Sequence, residues 1–188
     1  MSTPTNTAEK YARYCNINHP VQLKQEVPDM PGPEPTSKIA IVTCMDARLD
    51  VFKMFGLAVG EAHVIRVGGG RTPDALRSLV ASEHLLETTE IMVVHHTDCG
   101  FTRAPTDDEA HTHIEQSLQK ANGTHLSTRH LPIQVIPGGD VARSVREDVQ
   151  FLRSSPYIRD DVTVTGWVYD TFNGKIKEVN ESTHWQWD

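Results

Sequence analysis

The sequence predicts an α/β fold with a mostly parallel central β-sheet flanked by helices. Three observations carry that expectation: short apolar runs of strand length, a helix-period segment between two of them, and a strand, Asn-Gly, strand pattern near the carboxyl end. Residues 1–37 read as an N-terminal arm, with a short helix over residues 7–14. Val27-Pro28-Asp29-Met30-Pro31-Gly32-Pro33-Glu34-Pro35 follows, and its proline density excludes a regular element. An arm of this kind suits packing on a partner subunit. From Lys38 the texture changes, and residues 38–188 read as one domain with one core.

Ile39-Ala40-Ile41-Val42-Thr43 is nearly continuous in apolar character, as a strand buried on both faces requires, and it ends at Cys44. His63-Val64-Ile65-Arg66-Val67 is a second strand, stopping at Gly68-Gly69-Gly70. Thr72 is placed to cap a helix with Pro73 in its first turn, and Leu76, Leu79, Val80, Leu85 and Leu86 follow at helical spacing. Ile91-Met92-Val93-Val94 then leads into His95-His96-Thr97-Asp98-Cys99-Gly100, completing a strand, helix, strand unit. Residues 101–137 are polar and rich in Thr and His, with one amphipathic helix over 114–121; His111, His113, His125 and His130 read as solvated loop residues. Asp140 caps a further helix with Val141, Val145, Val149 and Leu152 on one face. Val162-Thr163-Val164-Thr165-Gly166-Trp167-Val168-Tyr169 is the next strand, and Asn173-Gly174 turns it into a C-terminal β-hairpin with Lys175-Ile176-Lys177-Glu178-Val179.

Hydrophobic residues at 38% and charged residues at 23% suit a globular chain. No window approaches the roughly 18 consecutive apolar residues of a spanning helix, so no membrane partner is expected. A net charge of -7 with no basic stripe speaks against nucleic acid, because phosphate contacts need clustered Lys and Arg. The opening MSTPTNTAEK has neither a basic n-region nor an apolar h-region, which favours a cytoplasmic location. The cysteines are three, Cys15, Cys44 and Cys99, an odd count better suited to metal or redox chemistry than to a disulfide framework.

Two strands end directly in potential metal ligands, Cys44 after the first and His96 and Cys99 after the third. Two thiolates and an imidazole suit Zn²⁺, and three protein ligands leave a fourth position for water. Asp46 and Arg48 follow Cys44 at alternate positions, so a carboxylate clamped by a guanidinium stands beside the ligands. That clamp would keep the carboxylate ionised and aimed at reactive water.

Cys44-Met45-Asp46-Ala47-Arg48 and His96-Thr97-Asp98-Cys99-Gly100, with Gly60-Glu61-Ala62-His63-Val64-Ile65-Arg66 and the glycine loop between them, resemble the β-class carbonic anhydrases. The likeness is specific over residues 38–101 and looser through the final strand. It implies a zinc-binding catalytic domain with one Zn²⁺ per subunit on Cys44, His96 and Cys99, and Asp46 and Arg48 as a catalytic dyad. It further implies reversible CO₂ hydration to bicarbonate, in a homodimer or homotetramer. The family's relatives that hydrolyse carbonyl sulfide or carbon disulfide offer an alternative substrate class. One departure bears on that choice: the family commonly carries Arg-Asn-Ala-Gly where this chain has Arg66-Val67-Gly68-Gly69, a less polar loop.

Other readings of the same residues carry less weight. Gly68 to Gly70 before a capped helix suggests a phosphate- or nucleotide-binding module, but Pro73 stands where a dinucleotide fingerprint needs glycine, and no Gly-Lys-Ser/Thr follows. A closed structural zinc site lacks a fourth Cys or His, although Asp46 could complete it. A phosphatase loop would need arginine at Asp50. His95 is expected to point away from His96, in a structural or exposed setting. Asp98 reads as a turn residue bonded locally.

Overall fold

The computed structural model describes residues 7–27 and 29–180. The chain divides into two units, residues 1–32 and 33–188. In the first, α1 spans Thr7–Glu26, longer than the helix expected over 7–14, because the chain continues helical through Pro20. No α1 residue is buried. Tyr11, Tyr14, Ile17 and Val21 recur at three- and four-residue spacing and are all exposed.

The second unit carries a five-stranded sheet in the order β2-β1-β3-β4-β5. Its elements run β1 Ile39–Cys44, α2 Val51–Phe55, β2 Ala62–Val67, α3 Thr72–Leu86, β3 Glu90–His96, α4 Asp107–Asn122, α5 Val141–Arg153, β4 Thr163–Tyr169 and β5 Ile176–Glu178. β1 to β4 pair in parallel and β5 returns antiparallel through a turn at Gly174, whose φ is 72°. The α/β architecture and the hairpin are those the sequence predicts. Within this unit the Thr36 and Ser37 amides donate to the Gly60 and Glu61 carbonyls.

β1 is central and buried on both faces, which is why its apolar run does not alternate. Ala40 and Val42 join Leu79 of α3, Val145 and Leu152 of α5, and Val93 and Val168 in the main core. Ile41 faces the other way, with Val94 and with Val51 of α2. Gly166 in β4 lets α5 approach closely, since a Cβ there would stand 2.4 Å from Val145 Cγ1.

Four local expectations change. α2 was not visible in the pattern, yet Asp50 accepts from the Lys53 amide and Gly56 closes it at φ 65°. α4 begins well before residue 114, at an acidic first turn capped by Thr106. Thr72 does not cap α3; its amide donates to the Asp148 carboxylate of α5 at 2.9 Å, so a distant side chain does the capping. His111 is buried rather than solvated, its Nδ1 at 2.8 Å from Thr128 Oγ1. Among the described residues no helix is long and apolar enough to cross a membrane.

Candidate active site

Parallel pairing of β1 with β3 sets their carboxyl ends side by side. Cys44 closes β1 and His96 closes β3, so register alone brings a thiol and an imidazole together. Cys99 follows through a tight turn at Asp98, whose φ of 52° is a left-handed conformation that aspartate tolerates better than most residues. The result is a buried cluster in which one candidate ligand atom each from Cys44, His96 and Cys99 lies within 4.8 Å of the others. The two sulfurs are 3.8 Å apart. His96 Nδ1 donates to the Thr97 carbonyl at 2.8 Å, which leaves Nε2 as the lone-pair nitrogen. That Nε2 is buried without a hydrogen-bond partner. An orphaned lone pair beside two thiols fits a metal ion, and these residues are placed to hold one.

The thiols are electrostatically unequal. The hydrogen bond from Cys99 lowers the Cys44 pKa, with His96 and the Asp46 amide assisting against burial. Cys99 is pushed up by the same bond and by burial. Cys44 is thus biased toward the thiolate and Cys99 toward the protonated thiol.

Asp46 and Arg48 come together as expected. Arg48 Nε and a terminal nitrogen donate to the two Asp46 carboxylate oxygens at 2.9 and 2.8 Å, and the Arg48 amide adds a third bond at 2.9 Å. These bonds hold the Asp46 carboxyl well below the usual carboxylate range. Its Oδ2 lies 3.8 Å from His96 Nε2, so the charged group borders the candidate ligands while Arg48 engages both oxygens.

Two residues outside the expected set complete the frame. Asp98 does not bond locally; its carboxylate accepts from Arg48 at 2.7 Å and its carbonyl accepts from Arg48 at 2.8 Å. Arg48 therefore bridges Asp46 to the turn that carries Cys99. Arg66 of β2 donates to the carbonyls of Cys44 and Asp46, fixing the backbone of the Cys-x-Asp loop. Their signal in the sequence was weak, because pairings 20 to 50 residues apart leave no local pattern. Replacing Asp98 by Asn, which tolerates the left-handed turn, should reduce turnover by about 10–100-fold through weakened Arg48 positioning, with metal content unchanged. Paired kinetics and metal analysis would check it, and wild-type turnover would refute the positioning role.

Behind the ligands, His95 points to the opposite face, as alternation requires, and is fully buried. Its Nδ1 lies 2.7 Å from Ser144 Oγ, and its Nε2 lies 3.2 Å from both the Gly70 carbonyl and the Asp148 carboxylate. Asp148 also pairs with Arg71 at 3.1 Å. The amino end of α3 is thus already served by a protein carboxylate, and the glycine loop is packed rather than open for phosphate.

The carbonic anhydrase family profile matches residues 39–176. The chain belongs to the β-carbonic anhydrase family. Beta-carbonic anhydrase 1 of Mycobacterium tuberculosis is 40% identical over 153 residues, covering 79% of this chain and 86% of that protein. A carbon disulfide hydrolase of Acidithiobacillus thiooxidans is 31% identical over 157 residues, covering 74% of this chain and 76% of that protein. The solved carbonic anhydrase of Streptococcus mutans superposes with a TM-score of 0.78 at 35% identity, covering 96% of this chain and all of that one. The chain is accordingly an enzyme of the carbonic anhydrase and carbon disulfide hydrolase kind.

Family membership gives the unequal thiols a testable consequence. A metal needs both sulfurs as thiolates, so uptake must expel the proton that Cys99 retains. About one proton per ion should be released near neutral pH, and affinity should fall as pH drops. Calorimetry in buffers of different ionisation enthalpy measures this; release of none would show both thiols already ionised.

Proposed function

We propose that this chain is a zinc enzyme catalysing reversible hydration of CO₂ to bicarbonate, with one Zn²⁺ per subunit on Cys44, His96 and Cys99. The observation that carries the reading is the partnerless His96 Nε2 beside two sulfurs 3.8 Å apart. Tetrahedral Zn–S bonds of about 2.3 Å require an S···S separation of about 3.8 Å. When bound, Zn²⁺ supplies a Lewis acid that lowers the pKa of water at its open position.

The chain's own residues do the rest. Asp46, kept ionised by Arg48, accepts a hydrogen bond from the attacking water and turns the oxygen lone pair toward the substrate carbon. Arg48 and Asp98 hold that carboxylate in place, and Arg66 fixes the loop beneath it. One water and one CO₂ give one bicarbonate and one proton, which leaves to solvent.

Carbonyl sulfide or carbon disulfide hydrolysis is the second reading, favoured by the 31% identical carbon disulfide hydrolase and by apolar Val67 and Gly68 beside the site. Side-by-side assays on zinc-loaded protein separate the two: proton release from CO₂, and sulfide release from COS and CS₂. Higher kcat/KM for CO₂ is expected, and dominant sulfide release would overturn it.

A homodimer or homotetramer is proposed because α1 buries none of its residues and exposes Tyr11, Tyr14, Ile17 and Val21 as a stripe. Sedimentation of a monomer at micromolar concentration would refute it. A cytoplasmic location is proposed on the exposed thiol of Cys15, which suits a reducing compartment.

A further inference from the structure

Phe101 sits two residues past Cys99, and its ring occupies space that the glycine loop leaves empty. A Cβ built on Gly68 would stand 2.2 Å from Phe101 Cζ and within 2.9 Å of both Cε atoms. Gly68 has no left-handed φ, so the ring, not the backbone, is what a side chain there would meet. Phe101 packs against a buried cluster of Cys44, Cys99, Leu49 and Ile136. It also lines an apolar groove of about 560 Å³ with Ala110, Ile114, Ile133 and Val135. Its backbone is anchored, the carbonyl accepting from the Ile136 amide at 2.9 Å. One aromatic ring therefore touches both the ligand cluster and the groove over α4.

We infer that Phe101 is the specificity-determining residue of this site, its ring forming a wall beside Gly68 that separates the candidate ligands from the groove and admits only small linear molecules. The inference rests on the proposed hydratase reading and refines it. Losing a methyl at position 68 does not enlarge the site, because the ring fills the vacated volume. A rigid ring packed on the ligand cluster selects against the longer, thicker CS₂ and in favour of CO₂. A hydrophobic pocket of fixed shape discriminates roughly 10–200-fold between ligands that differ by such increments.

Three measurements on the zinc-loaded full chain test this. In a thermal cycle, Gly68→Ala should lower Tm by roughly 5 °C in the wild-type background, the shift expected for an overpacked methyl in a domain of this size. In the Phe101→Ala background the same substitution should cost nothing, since the space is then open. Equal cost in both backgrounds would overturn the steric pairing. In binding, Phe101→Ala should tighten benzenesulfonamide about tenfold while changing azide, a small linear anion, less than twofold. Parallel changes in both would overturn the selective wall. In turnover, the CS₂ to CO₂ ratio of kcat/KM should rise about tenfold in Phe101→Ala and less in Phe101→Leu. An unchanged ratio in folded, zinc-loaded protein would overturn the inference. A wild-type protein inactive on all three substrates would sink the hydratase reading instead, while the thermal and binding arms would still judge Phe101.

Discussion

A Cys44→Ser variant is expected to bind Zn²⁺ on the order of a thousandfold more weakly and to lose activity with it. Protein zinc sites are worth about 10–16 kcal/mol near neutral pH, and removing one of three ligands forfeits roughly a third of that. The serine hydroxyl does not ionise in this range and cannot replace the thiolate. Cys44 is buried at the end of β1 and serine is close to it in volume, so the fold should survive. Circular dichroism alongside metal analysis separates a lost ligand from a lost fold. A folded variant that retained full zinc and full activity would remove Cys44 from the ligand set.

Asp46→Asn should behave in the opposite way, keeping its metal while kcat/KM falls by about 10²–10⁴-fold, the usual scale for a positioned acid–base group. The amide preserves shape but loses the charge, and offers Arg48 an N–H group where it met two oxygens. Because Arg48 holds the Asp46 carboxyl below its ordinary value, the group is charged at every pH above that depressed value. It therefore cannot be the ionisation that controls activity near neutrality. Two thiolates offset much of the ion's charge, so activity should rise through or above neutral pH. In Asp46→Asn the plateau should drop without a shift in that midpoint. A variant as active as wild type, or one that lost its zinc, would refute the assignment.

How much of this was legible without coordinates depended on distance along the chain. The strands were readable because a central parallel strand is apolar on both faces, and their ends named Cys44 and His96 directly. Asp46 and Arg48 were readable because their partnership spans two residues. α2 was missed because five residues are too few to show a helical period, although Asp50 and Gly56 were the caps that marked it. The Asp98 to Arg48 bridge, the Asp148 cap on α3 and the packing of Phe101 on Gly68 join residues tens of positions apart. Such links depend on how elements dock, which no window of sequence contains. His111 misled for a related reason: a polar neighbourhood in the chain became a covered one once Thr128 folded over it.

The two adjacent histidines of β3 have opposite duties. His96 faces the sulfurs, while His95 is keyed into Ser144, Asp148 and the Gly70 carbonyl on the other side of the sheet. A strand that slipped by one residue would set His95 beside the sulfurs and Val94 against Ser144 and Asp148, or, slipping the other way, Thr97 among the ligands. The first slip would withdraw the imidazole from Ser144 and from Asp148, leaving Asp148 to Arg71 and the Thr72 amide alone. The network behind the site thus favours the strand alignment that also delivers His96 to the sulfurs.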